Sequence, residues 1–151
     1  MPSIRRILVP VDFSEPSVRA LEYADEVARP FDATIDVLHV FDAPSLLLTG
    51  GLIETAPSDA AVVELAKVNA ERALHAFIAD ARRRGIVVRS ARAEIGPVPQ
   101  TIASIAGNDA YDLIVIGTHG RTGLPRALIG SVAERVVRHA HCPVLTVRAS
   151  T

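Results

Sequence analysis

Aromatic side chains are scarce, at 4% of the 151 residues with no tryptophan. Proteins that hold single-stranded nucleic acid by stacking bases on rings need more of them, so that class is set aside. Charge is close to balance, with 16 Lys and Arg against 17 Asp and Glu and a net charge of -1. No global field draws such a chain to DNA or to an anionic membrane surface. The single cysteine, Cys142, cannot close an internal disulfide, and nothing ties the chain to an oxidising compartment. No apolar run approaches the roughly 18 residues of a membrane span. The opening "MPSIRRILVPVDFS" places Arg5 and Arg6 before an apolar stretch. That stretch, "ILVPV", is too short for a signal h-region and lacks a small-residue cleavage site. The expectation is a cytoplasmic protein with neither nucleic acid nor membrane as partner. Two nucleotide motifs are also missing: G-x-x-x-x-G-K-S/T, and G-x-G-x-x-G after the first apolar run.

What the sequence does contain is ordinary globular composition, 49% hydrophobic and 22% charged. Its length suits one domain over residues 1–151, with a core of its own. Short apolar runs alternate with helical patterns. "RRILVPV" reads as a buried strand; "SEPSVRALEYADEVARPF" spaces Val18, Leu21, Ala24, Ala28 and Phe31 as a helix does, with Pro16 in its first turn. "ATIDVLHVF" is a second strand. Residues 42–58, with two prolines, a glycine pair and Leu46 to Leu48, show no period. A connection this long is a lid over a ligand or partner, or a loop tucked onto the core. A long helix over "DAAVVELAKVNAERALHAFIADARRRG" ends at Gly85, after a basic turn. "IVVRSARAEI", "YDLIVIG" and "CPVLTVR" read as strands, and "PVPQTIASIAGNDA" and "SVAERVVRHA" as helices.

This alternation predicts an α/β fold: a five-stranded parallel doubly wound sheet with helices on both faces. An order of 3-2-1-4-5 places the winding reversal between strands one and four. Ligands of such sheets bind outside the strand carboxyl ends at that point. Asp12 then faces the stretch "GTHGRTGLPRALIGS", which holds Gly117, Gly120, Gly123 and Gly130. The glycines either serve a sharp turn or let the backbone approach phosphate oxygens. Gly130-Ser131 opens the last helix, where free N–H groups and the positive dipole end attract anions. Arg121 and Arg126 can neutralise charge, and Asp12 suits a ribose hydroxyl. The ligand these residues describe is a nucleotide.

Gly117-x2-Gly120-x9-Gly130-Ser131, with "ILVPVDFSEPS", "DLIVIGTHGRTG" and "HCPVLTVR", resembles the ATP-binding type of the universal stress protein family over essentially the whole chain. The resemblance implies the 3-2-1-4-5 order of an adenine nucleotide α-hydrolase-like fold. It implies that Pro10, Val11 and Asp12 line the adenosine end, with Asp12 near the ribose, and that Val40 meets adenine through its main chain. It implies that Gly117, Gly120, Gly130, Ser131 and Val132 hold the phosphates of ATP with a divalent ion, Mg2+ or Mn2+; Arg121 and His119 are further loop candidates. It also implies a homodimer through the last strand, Pro143 to Arg148. The apolar edge "PVLTV" suggests the same, since an uncovered edge invites pairing.

Simpler roles compete. Asp12 can cap the first helix, Ser131 can be an N-cap, and His119 can be a solvated loop residue. Cys142 reads as a buried thiol with no zinc spacing around it, and Asp36 and Glu94 as solvent-facing or paired carboxylates. No catalytic residue and no metal ligand is assigned. The expected function is a nucleotide-dependent regulatory or stress-response module with at most slow ATP hydrolysis. The alternatives are a partner-activated ATPase or phosphotransferase, and a scaffold dimer with structural ATP.

Overall fold

The structure, a computed structural model, describes residues 3–42, 59–119 and 129–148. The connection read above as a lid or tucked loop lies outside them from residue 43 to 58, as do Gly120, Arg121, Gly123 and Arg126. The strands are β1 (Arg6–Pro10), β2 (Thr34–Phe41), β3 (Ser90–Ile95), β4 (Leu113–Gly117) and β5 (Val144–Val147). The helices are α1 (Glu15–Ala28), α2 (Asp59–Arg83), α3 (Val98–Asn108) and α4 (Ser131–His139). A single 3-10 turn over Arg29–Phe31 follows α1 and ends on Asp32 in the left-handed region.

The strands form one parallel sheet in the order β3-β2-β1-β4-β5, as expected. Side-chain alternation along the central strands divides the core in two. Ile7, Val9, Ile35, Val37 and Val115 meet Ala20, Leu21 and Ala24 of α1 and Leu74 and Ile78 of α2. Leu8, Leu38, Ile114 and Ile116 meet Ile102 and Ala106 of α3 and Ala133 and Val136 of α4. Helices on both faces explain why "ILVP" and "LIVI" are continuously apolar: neither face of these strands meets water. Among the described residues no helix is long and apolar enough to cross a membrane.

Two expectations are corrected. The third strand begins at Ser90, not Ile86. Ile86 and Val88 are buried beneath α2 before the ladder starts, so their apolarity records packing, not pairing. Cys142 is partly buried, not enclosed. Burial and the charge of Asp112 push its thiol above the usual cysteine range, which keeps it protonated and unreactive at neutral pH.

Asp36, the third residue of β2, is 2% exposed. Its carboxylate accepts from Arg89 through both oxygens, from Ser90 Oγ at 2.7 Å and from the Tyr111 hydroxyl at 2.9 Å. Arg6 stands 3.4 Å away and lies over the Tyr111 ring. The network joins β1, β2, the start of β3 and the approach to β4. Burial alone raises a carboxyl's pKa, but here the bonds from Arg89, Ser90 and Tyr111 and the charge of Arg89 outweigh it and hold the group below the usual range.

Candidate functional site

β1 runs past Pro10 into a turn whose shape is set by Asp12. Its Oδ1 accepts from the Ser14 amide at 3.1 Å, from the Ser14 hydroxyl, and from Ser17 Oγ at 2.6 Å. The Asp12 amide in turn donates to Ser17 Oγ at 2.9 Å. An Asx-type bond of this kind lets a chain turn sharply from strand to helix. Asp12 therefore braces the turn into α1 and does not cap it: Ser14 is the N-cap residue, and among the described residues no side chain caps the first-turn amides. Asp12→Ala removes three hydrogen bonds at a half-buried corner and is expected to cost about 1–3 kcal/mol of stability. Asp12→Asn keeps the Oδ1 acceptor and is expected to retain most of it, by thermal unfolding of both variants.

A cleft opens over the strand carboxyl ends where the winding reverses. Pro10, Val11 and Asp12 enter it from β1, Val40 from β2, Gly117 and His119 from the end of β4, and Val132 from the first turn of α4. Leu38, Val98, Ile102 and Ile116 give it an apolar wall, and the buried Ser17 reaches it from α1. Ser131 stands in an adjoining depression with Asp42, Gln100 and Arg135, which shares Val98 and Val132 with the cleft. The fold thus gathers Pro10, Val11, Asp12, Val40, Gly117 and Val132 around one cleft, with Ser131 beside it. Gly120 and Arg121 lie outside the described residues.

The two described glycines of the signature have a reason of their own. A Cβ on Gly117 would meet the Pro16 side chain at 2.8 Å and its carbonyl at 3.0 Å, so glycine there lets α1 sit against the end of β4. A Cβ on Gly130 would meet the carbonyl oxygen of Thr118 well inside 3.0 Å. That carbonyl accepts the Gly130 amide at 2.5 Å. These glycines are required by close approach within the chain itself, a reason neither the turn reading nor the phosphate reading anticipates.

His119 is more than a solvated loop residue. It is partly buried in the cleft wall, and its Nδ1 lies 2.8 Å from Thr118 Oγ1. Its Nε2 is buried and has no hydrogen-bond partner among the described residues. A buried ring nitrogen without a partner carries a desolvation cost that a polar ligand would remove. Nothing in the sequence separated His119 from its exposed counterparts His75, His139 and His141. Ser17, too, was missed; only its i+5 relation to Asp12 hinted at it. A larger groove runs between α2 and β3, lined by Lys67, His75, Arg82 and Glu94 among others, but it lies off the switch point of the sheet. Among the described residues no group of three or more His, Cys, Asp or Glu is placed to hold a metal ion.

Comparison with known proteins agrees with this architecture. A universal stress protein of Methanocaldococcus jannaschii is 36% identical over 147 residues, covering 95% of this chain and 82% of that protein. Universal stress protein UspA from Lactobacillus plantarum superposes with a TM-score of 0.74 at 29% identity, over 96% of this chain and 98% of that one. A universal stress protein family member from Arabidopsis thaliana, solved with AMP bound, shares the fold at a TM-score of 0.65 and 23% identity, over 97% and 93% of the two chains. The sequence profile of the universal stress protein family matches residues 3–148. With the sheet order, the cleft at its switch point and these likenesses in agreement, the chain belongs to the universal stress protein family.

Proposed function

We propose that this chain is an adenine-nucleotide-binding regulatory module, one domain over residues 1–151, acting in the cytoplasm with ATP as its ligand. The observation that carries the reading is the buried Nε2 of His119, without a hydrogen-bond partner among the described residues, in a cleft at the topological switch point. The AMP bound to the Arabidopsis relative supports it. The apolar wall of Leu38, Val40, Val98 and Ile102 suits a purine, and the end of β1 suits a sugar. The start of α4, with Ser131 at its first turn, suits phosphate. A divalent ion, Mg2+ or Mn2+, would accompany the phosphates. Purified protein is expected to bind ATP more tightly than GTP, by calorimetry, and to turn it over more slowly than about 1 s⁻¹. Equal affinity for the two would remove the adenine assignment.

We further propose a homodimer through β5, which among the described residues pairs only with β4. The carbonyls of Pro143 and Val147 accept from Ile114 and Thr118. By strand alternation Val144 and Thr146 therefore turn their backbone groups outward. Val147 is buried in the core, so a lysine there would disturb folding. Thr146→Pro removes an outward N–H and leaves the β4 ladder in place. Sedimentation is expected to show a dimeric parent and a folded, monomeric Thr146→Pro variant; a dimeric variant would place the interface elsewhere.

A further inference from the structure

The turn that presents Asp12 to the cleft contains a strained residue. Phe13 has φ +66°, a region that large side chains rarely occupy unless the surroundings hold them there. Beside it, the β1–β2 ladder ends in an unusual way. Val11 donates its amide to the Leu38 carbonyl at 2.8 Å, while its own carbonyl is met by Nδ1 of His39 at the same distance. A carbonyl oxygen only accepts, so the ring must carry its proton on Nδ1. The same ring stands 4.3 Å from the Phe13 ring, centroid to centroid, and stacks on Phe41 at 6.0 Å. Phe13 also packs against Phe77 of α2, at 5.8 Å.

We infer that His39 is a positioning residue for the cleft: its Nδ1–H fixes the Val11 carbonyl, from which the turn through Phe13 departs. The inference rests on the reading of the cleft as a nucleotide site. His39 itself points to the α1–α2 side of the sheet, beside Val11 and Phe13 and away from the Val40 side, so it acts through the turn and not on the ligand. A side chain that takes over the Val11 carbonyl fixes the plane of the Val11–Asp12 peptide. The Asp12 carboxylate and the Ser14 and Ser17 hydroxyls then close on a turn already set. Ligand binding has less chain to order when this corner is preformed.

The test has arms that need no nucleotide. In the parent protein, long-range nitrogen–proton NMR is expected to find neutral His39 protonated on Nδ1; an Nε2–H tautomer would overturn the inference. His39→Phe keeps a ring against Phe13 and Phe41 but removes the donor, and His39→Asn places an amide N–H near the position of Nδ1. The phenylalanine variant is expected to speed amide exchange at Asp12 and Ser14, whose amides are hydrogen-bonded in the turn, about tenfold while Ile35 and Val37 are unchanged, and asparagine is expected to restore slow exchange. ATP affinity is expected to follow the same order, about tenfold weaker in the phenylalanine variant and recovered with asparagine. Exchange unchanged in His39→Phe, or no recovery in His39→Asn, would contradict the role. If His39→Phe does not fold, the tautomer and the asparagine variant still decide. A parent protein that binds no ATP would refute the nucleotide reading alone, leaving the tautomer and exchange results to judge the brace.

Discussion

Gly130→Ala is expected to cost about 3 kcal/mol of stability, at the upper end of what overpacking by a methyl group does. The added Cβ points at the backbone carbonyl of Thr118, which cannot swing aside as a side-chain tip could. Thr118 is 3% exposed, and its amide is tied to the Val147 carbonyl at 2.8 Å, so moving it disturbs the β4–β5 ladder. Relief in the other direction stretches the bond from the Gly130 amide to Thr118 and shifts the start of α4. For a chain of this size the loss corresponds to a fall of roughly 6–12 °C in melting temperature. ATP binding is expected to fall with it, because α4 is displaced even if no phosphate touches Gly130. Ser131→Ala separates the two effects. Ser131 is exposed, so its loss is expected to leave melting nearly unchanged while weakening ATP about tenfold, the equivalent of one charge-assisted hydrogen bond. A Gly130→Ala protein that melts like the parent yet fails to bind ATP would show that phosphate contact, not chain packing, demands the glycine.

The second large effect is expected at the other end of the sheet. Asp36→Ala leaves the buried Tyr111 hydroxyl and the Ser90 hydroxyl without their acceptor and strands the Arg6 and Arg89 charges beside an apolar strand. Removing one member of a buried ionic network typically costs 3–5 kcal/mol. Arg89 is about half exposed, at 48%, and can turn to water, which places the expected loss near 3 kcal/mol. The pH dependence follows from the directions of the shifts. Asp36 titrates below its ordinary value in the folded chain, so its contribution is complete above about pH 4, the unfolded value, and is lost as pH falls through the depressed one. Tyr111 is raised, first by burial and then by its bond to Asp36. Its contribution is complete below about pH 10 and lost as pH rises through the folded value. Acid unfolding of the parent is therefore expected to be steeper than that of Asp36→Ala. Parallel acid limbs would show that the carboxylate is not what acid removes.

The central strands were legible because burial on both faces leaves a continuous apolar run, and "ILVP" and "LIVI" fit neither a half-exposed strand nor a surface helix. Strand order came from the alternation of elements combined with a family likeness, since periodicity alone does not say which strand is central. The placement of Pro10, Val11, Asp12 and Gly117 about one cleft followed from that order, whereas Val40 and Val132 came from the family likeness. Burial of Asp36 was not legible. Its place within a strand suggested only a solvent-facing or paired carboxylate, and its partners Arg89, Ser90 and Tyr111 lie 53 to 75 residues away. The glycines were legible as a pattern but not in their reason. A sequence shows that a Cβ is missing, and only the fold shows that Pro16 and the Thr118 carbonyl occupy the space. His119 and His39 likewise look alike in the sequence, and only chain geometry leaves one with a nitrogen unpartnered among the described residues and gives the other a carbonyl to hold.

The most direct test of the central claim is a nitrogen–proton NMR titration of the protein with ATP and Mg2+, read residue by residue. Adenine-nucleotide binding in the cleft predicts saturating shifts at the amides of Val11, Asp12, Val40, Gly117, Ser131 and Val132, with His75 and Ala93 in the α2–β3 groove unmoved. Shifts confined to that groove, or none up to about 1 mM ATP, which is weaker than roughly −4 kcal/mol, would contradict it.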